Sequence, residues 1–138
     1  MELSESLEDY LITIYELALE GTDVHSGRVA QRVGVSTASV THAFRALRAR
    51  GLIDYERYQA VRLTGEGAEA ARLVIARKKT LIRFFSEVLG LDQEEAEQNA
   101  HRMEHVITPN AIERLGELMT RYDSGESISR ERPDLTDQ

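Results

Sequence analysis

A change of hydrophobic period one third of the way along the chain most constrains its fold. Through residues 27–50 apolar side chains recur at helical spacing. Immediately afterwards Ile53 and Tyr55, then Val61 and Leu63, alternate with polar residues on either side of Arg57-Tyr58-Gln59-Ala60. The first pattern is that of amphipathic helix and the second that of a short β-hairpin. The helical stretch is itself divided. Ser26 is placed to cap a short helix over 27–33 whose Val29 and Val33 face inward, and Gly34 supplies a left-handed turn. Ser36 or Thr37 then caps a third helix to about residue 50, with Gly51 in its C-cap region. Helix, tight turn, helix and hairpin in direct succession read as a winged helix-turn-helix.

Helices flank this module. Leu7, Leu11, Ile14, Tyr15 and Ala18 form the stripe of a first helix over 5–19, ended by Gly21. Thr64 caps a long helix over 65–89, with Ala68, Ala70, Ala71 and Ala76 on a small face and Leu73, Val74, Leu81, Phe84 and Phe85 as large packing residues. Gly90 breaks it. Asp92 with Glu95 makes a capping-box start for a helix over 93–106, and Thr108-Pro109 starts a last one over 109–122. From Asp123 onward little remains to bury, so a disordered tail is expected. The expected fold is mainly α: a winged helix-turn-helix over 1–64, a helical domain over 65–122 and a polar tail over 123–138.

Charge is distributed unevenly. The net charge of −7 argues against a nucleic-acid partner until it is divided along the chain. Residues 1–23 carry seven acids and no Lys or Arg, residues 24–83 carry twelve Lys/Arg against four acids, and residues 84–138 carry five against thirteen. Between Val24 and Ile53 stand five arginines and no acid. A basic block in an acidic chain is the pattern of one face meeting phosphate. Other classes recede. Zero cysteines remove disulfides and thiolate sites, leaving His, Asp, Glu, Met and backbone oxygens as metal ligands. No apolar run approaches the roughly 18 residues of a membrane span, and residues 1–9 lack the basic start of a secretory signal. A cytoplasmic protein without a membrane partner is expected.

A recognition helix needs short or hydrogen-bonding side chains near its start. Ser36, Thr37 and Ser39, followed by His42, Arg45 and Arg48, meet that requirement, while Val40, Phe44 and Leu47 fall on the opposite, inward face. Ser36 and Thr37 also serve as caps, and the two roles are compatible. In the wing, Arg57, Gln59 and Arg62 are placed to reach phosphate or the minor groove. Double-stranded DNA is therefore the expected partner, with no small organic substrate and no enzymatic activity.

A second constellation lies farther on. Glu97, His101, Glu104 and His105 follow one another at spacings of four, three and one, on one stripe of the helix before Thr108, with the His pair able to close on one ion. Asp9 is a further candidate ligand from the first helix. His and carboxylate donors suit manganese, iron(II), cobalt, nickel or zinc alike. The string from His101 to His105 also fits HxxEH, in which two His bind zinc and the Glu is a base. Nothing else in the chain supplies a substrate cleft for that chemistry.

By these elements and by its wording the chain resembles the iron- and manganese-dependent repressors typified by the diphtheria toxin repressor and the manganese transport regulator. The resemblance covers about residues 3–122. It is carried by LEDYLITIYEL, VAQRVGVSTASVTHAFRALRARGLI, VRLTGEGAEAARLV, VLGLD and RMEHVITPNAIERL. It implies a homodimer formed through the helices after the wing, a palindromic operator, repression of metal-uptake genes, and the short form without an SH3-like domain. It also implies a divalent ion, Mn(II) or Fe(II), held by Asp9, His101, Glu104 and His105. Two expected ligand positions depart from the pattern: Ile12 stands where a first-helix Glu is expected, and Lys78 where the long helix offers His. That departure keeps open a metal-independent dimeric regulator with a degenerate site.

Overall fold

The computed structural model describes residues 3–56 and 58–125. In chain order these form α1 (Glu5–Leu19), α2 (Ser26–Val33), α3 (Thr37–Ala49), β1 (Ile53–Asp54), β2 (Arg62–Leu63), α4 (Gly65–Arg83), α5 (Gln93–Met103) and α6 (Pro109–Asp123). They divide into two compact units on either side of the Arg77–Lys78 bond.

The first unit is a three-helix cluster with a wing. Leu11, Ile14 and Leu17 of α1, Val29 of α2, and Val40, Phe44 and Leu47 of α3 are all fully buried, joined by Ile53 of β1. Each such side chain contributes about 1.5–3 kcal/mol by leaving water. Gly34 takes φ +82° to turn α2 into α3, and the Ser36 hydroxyl caps α3 by accepting from the Ser39 N–H at 3.2 Å. The wing is antiparallel, pairing Ile53 with Leu63 and Asp54 with Arg62. Val24 extends it through a bridge to Val61. Phe44 meets Tyr55 edge-to-face at 5.2 Å, which locks α3 against the wing.

Several boundaries differ from the sequence expectation. α2 begins at Ser26 itself. His25 is the N-cap and makes no side-chain cap bond; its carbonyl accepts from Arg28 and Val29, each at 3.1 Å. The long helix ceases to be α-helical at Arg83 and ends in a π-turn, Phe84–Val88, closed by Leu89 N–H to the Phe84 carbonyl at 3.1 Å. α5 stops at Met103, because Val106 and Ile107 both return their N–H groups to the Met103 carbonyl, at 3.0 and 2.9 Å. The caps Asp92 and Thr108 stand as expected, accepting from Glu95 and Ala111. α6 runs one residue past Tyr122, so Asp123 is helical, and most of the expected tail lies outside the described residues.

In the second unit Leu81, Phe85, Ala96 and Ala100 form the core, with Ile107, Ile112 and Leu115 packed against it. Arg83 donates to both Glu87 and Asp123, tying the end of α4 to the end of α6. The Arg83 hydrogen bond holds the Asp123 carboxyl below its ordinary range, and Asp123 with Glu87 pushes Arg83 upward.

Candidate nucleic-acid interface and metal centre

The outer face of α3 follows from its inner one. Because Val40, Phe44 and Leu47 seal the core, Ser39, His42, Arg45 and Arg48 turn to solvent. Thr37 lies at the helix start, where its carbonyl accepts from the Thr41 hydroxyl at 3.0 Å. The Ser39 and Ser36 hydroxyls are 3.0 Å apart, so Ser36 is engaged in capping as well as exposed. Gln59 and Arg62 are exposed on the wing. Arg57 lies outside the described residues.

The basic block resolves into two parts. Arg28 and Arg32 of α2 both bind Glu20, at 3.3 and 3.0 Å, and Arg28 also donates to the Thr22 hydroxyl. Exposed Arg45 and Arg48 lie instead beside a groove of about 710 Å³ between α3 and the wing. Thr37 and Thr41 share its α3 wall, and Tyr55, Tyr58 and Gln59 form the opposite wall. Its α2 end is formed by His25, Ser26 and Gly27. Sequence reasoning passed over His25, Tyr55 and Tyr58, because an aromatic in a hairpin reads as ordinary packing.

In the second unit His101, Glu104 and His105 come together, although α5 ends before Glu104. The Glu104 side chain is only 5% exposed; its Oε1 lies 3.3 Å from His105 Nε2 and 3.7 Å from His101 Nδ1. The two imidazoles meet edge-to-face at 5.3 Å. Leaving the helix at Met103 brings His105 onto the same carboxylate that His101 approaches from the last turn. Glu97, one turn earlier, is exposed and accepts from Gln93 at 2.8 Å. Asp9 is exposed on α1, its backbone carbonyl accepting from Thr13. Ile12 and Lys78 are half-buried; Ile12 has no donor atom, and Lys78 carries an amine rather than an imidazole or carboxylate. A desolvated carboxylate flanked by two imidazoles is a donor set that fits a divalent ion.

A helix-turn-helix with an adjoining hairpin and an exposed cationic second helix defines the first unit as a winged-helix DNA-binding module. Residues 2–61 match the family model of the iron dependent repressor N-terminal DNA binding domain, and residues 64–126 that of the iron dependent repressor metal binding and dimerisation domain. An HTH-type transcriptional regulator of Methanocaldococcus jannaschii is 31% identical over 121 residues, 87% of this chain and 97% of its own length. The HTH-type transcriptional regulator MntR of Bacillus velezensis is 29% identical over 126 residues, 91% of this chain and 88% of its own. Among solved structures, ScaR with bound Cd2+ aligns with a TM-score of 0.75 at 27% identity, covering 83% of this chain and 53% of that one. This chain therefore spans about half the length of ScaR. The chain belongs to the iron-dependent repressor family, whose members are metal-dependent regulators of transcription.

Proposed function

We propose that the chain is a homodimeric repressor that reads a palindromic operator through Ser36, Thr37, Ser39, His42, Arg45 and Arg48 of the recognition helix region. Arg57, Gln59 and Arg62 of the wing hold the flanking backbone. It responds to a divalent cation, Mn(II) or Fe(II), through His101, Glu104 and His105. The observation that carries the metal reading is Glu104, a carboxylate 5% exposed with an imidazole on each side. Such a group is stabilised by a cation, which when bound neutralises the carboxylate and fixes both rings. Glu97 is a peripheral carboxylate of the same stripe.

Residues 1–64 act in this reading as the DNA-reading domain and residues 65–122 as the helical dimerisation domain. Leu89 and Val106, exposed apolar side chains of the second unit, suit cover by a second copy. Among the described residues no helix is long and apolar enough to cross a membrane, and a cytoplasmic location belongs to this reading as a regulator of transcription. The HxxEH string is then a regulatory ligand set, and no small organic substrate is involved.

The test is titration of chelator-stripped protein with Mn(II) and Fe(II) by calorimetry, with mobility-shift binding to a duplex selected from a randomised library. Each ion is expected to bind and to raise DNA affinity, and His105→Ala to abolish both effects. Absence of metal uptake at millimolar ion overturns the metal reading. DNA binding indifferent to chelator and to ions overturns the coupling.

A further inference from the structure

Tyr58 is placed against two ordinary preferences at once. Its side chain is 86% exposed, and its backbone has φ +68°, the only positive value at a non-glycine position among the described residues. It occupies the third position of a turn closed by Gln59 N–H to the Glu56 carbonyl at 3.0 Å, a place that glycine or asparagine fills at little cost. A bulky aromatic there neither eases the turn nor fills the core. Tyr58 lines the wing side of the groove whose other side is Thr41, Arg45 and Arg48 of α3. When a recognition helix lies in the major groove, the strand bordering that groove passes between helix and wing, and the wing tip faces the adjacent minor groove.

On the DNA-binding reading above, we propose that Tyr58 is a minor-groove wedge. Its ring packs on deoxyribose and base edges beside the strand whose phosphates Arg45 and Arg48 face. The surroundings suit this occupant: Arg45 and Arg48 line the α3 side of the groove, and exposed Tyr58 lines its wing side. Apolar side chains inserted this way read groove width and ease of unstacking rather than base identity.

The contact has a signature that separates it from the arginines. Phosphate contacts release counterions and steepen the salt dependence of binding, whereas an apolar contact does not. With the library-selected duplex as probe, Tyr58→Ala is expected to weaken binding about tenfold while leaving the slope of log K against log salt unchanged. Arg45→Ala is expected to lower that slope by about one. Tyr58→Gly is expected to weaken DNA binding similarly while raising the melting temperature, since it relieves the left-handed backbone. Diaminopurine substituted for adenine beneath the wing adds an amino group to the minor groove. It is expected to weaken the wild type and leave Tyr58→Ala unaffected.

Undiminished binding by Tyr58→Ala, or a changed salt slope in that variant, overturns the wedge. Loss of function in Arg45→Ala with Tyr58→Ala unaffected leaves the DNA reading standing without it. Indifference of both variants overturns the DNA-reading face itself.

Discussion

Adding a single methyl at Gly67 tests how the wing is held to the helix that leaves it. A Cβ built there stands 1.8 Å from the Leu52 carbonyl oxygen and 2.8 Å from its carbon, where real contacts essentially never fall below 3.0 Å. The atom that would be struck is backbone and already engaged. It accepts from Thr64 N–H at 3.1 Å, while the Thr64 hydroxyl donates to the Gly51 carbonyl at 2.6 Å and accepts from Gly67 N–H at 3.0 Å. Leu52 cannot simply retreat, because its own N–H is bonded to the Leu47 carbonyl at the end of α3.

Opening the contact from 1.8 to 3.0 Å therefore breaks the two bonds from Thr64 to Leu52 and Gly51. These are worth about 1 kcal/mol each. Residual overpacking adds about 1–2 kcal/mol, and the better helix propensity of alanine returns about 1 kcal/mol. Gly67→Ala is expected to lose about 2–3 kcal/mol in urea unfolding followed by tyrosine fluorescence, and to weaken DNA binding because α3 and β1 meet at Leu52. Gly116 of α6 has nothing within 4 Å of a built Cβ, so the same substitution there should gain up to about 1 kcal/mol. Equal stabilities for the two variants would refute the reasoning.

Three further outcomes follow from the same structure. Glu8→Gln should cost about 2 kcal/mol in urea unfolding, because Arg77 Nη2 binds both Glu8 oxygens, at 3.0 and 3.1 Å, in a half-buried pair whose Arg77 Nε has no hydrogen-bond partner among the described residues; no loss would show the pair to be decorative. Asp123→Asn should lower the melting temperature at neutral pH. Since Arg83 lowers the folded carboxyl below its unfolded value, the bond contributes above the ordinary carboxylate range and is lost as pH falls through the lowered one, so the difference between variant and wild type should close in acid. A difference persisting at the lowest pH that leaves the protein folded would contradict it. Arg28→Ala, tied to Glu20 and Thr22, should weaken DNA binding less than Arg45→Ala in parallel mobility shifts, and the reverse order would misplace the interface.

Local chemistry made much of this fold legible. Gly34 at positive φ, the caps Ser36, Asp92 and Thr108, and the Val40-Phe44-Leu47 face each follow from a few neighbouring residues. What escaped depends on partners distant in sequence or on geometry that composition does not announce. Val24 pairs with Val61 as a single bridge, too short to show a period. Glu20 collects Arg28 and Arg32 from eight and twelve positions away. Tyr58 occupies a glycine-like conformation without being glycine. The end of α5 was hidden because no helix breaker precedes Thr108; three-residue spacing still brought His101 to Glu104, but His105 reaches it from the turn.

These pairings change what the acidic net charge means. Once Glu20 answers the α2 arginines, Arg45 and Arg48 of α3 remain as exposed cations beside the groove between α3 and the wing, and Arg62 is exposed on the wing itself. Acidic surface elsewhere in that unit is then compatible with binding, since phosphate is attracted by the exposed arginines and repelled from the carboxylate-rich α1. The second unit follows the opposite logic. There a carboxylate is desolvated rather than displayed, with one imidazole nitrogen 3.3 Å and another 3.7 Å from its Oε1. One unit displays cations and the other shields the Glu104 carboxylate from water between two exposed imidazoles, so the same sequence holds a surface suited to DNA and a donor set suited to a small divalent ion.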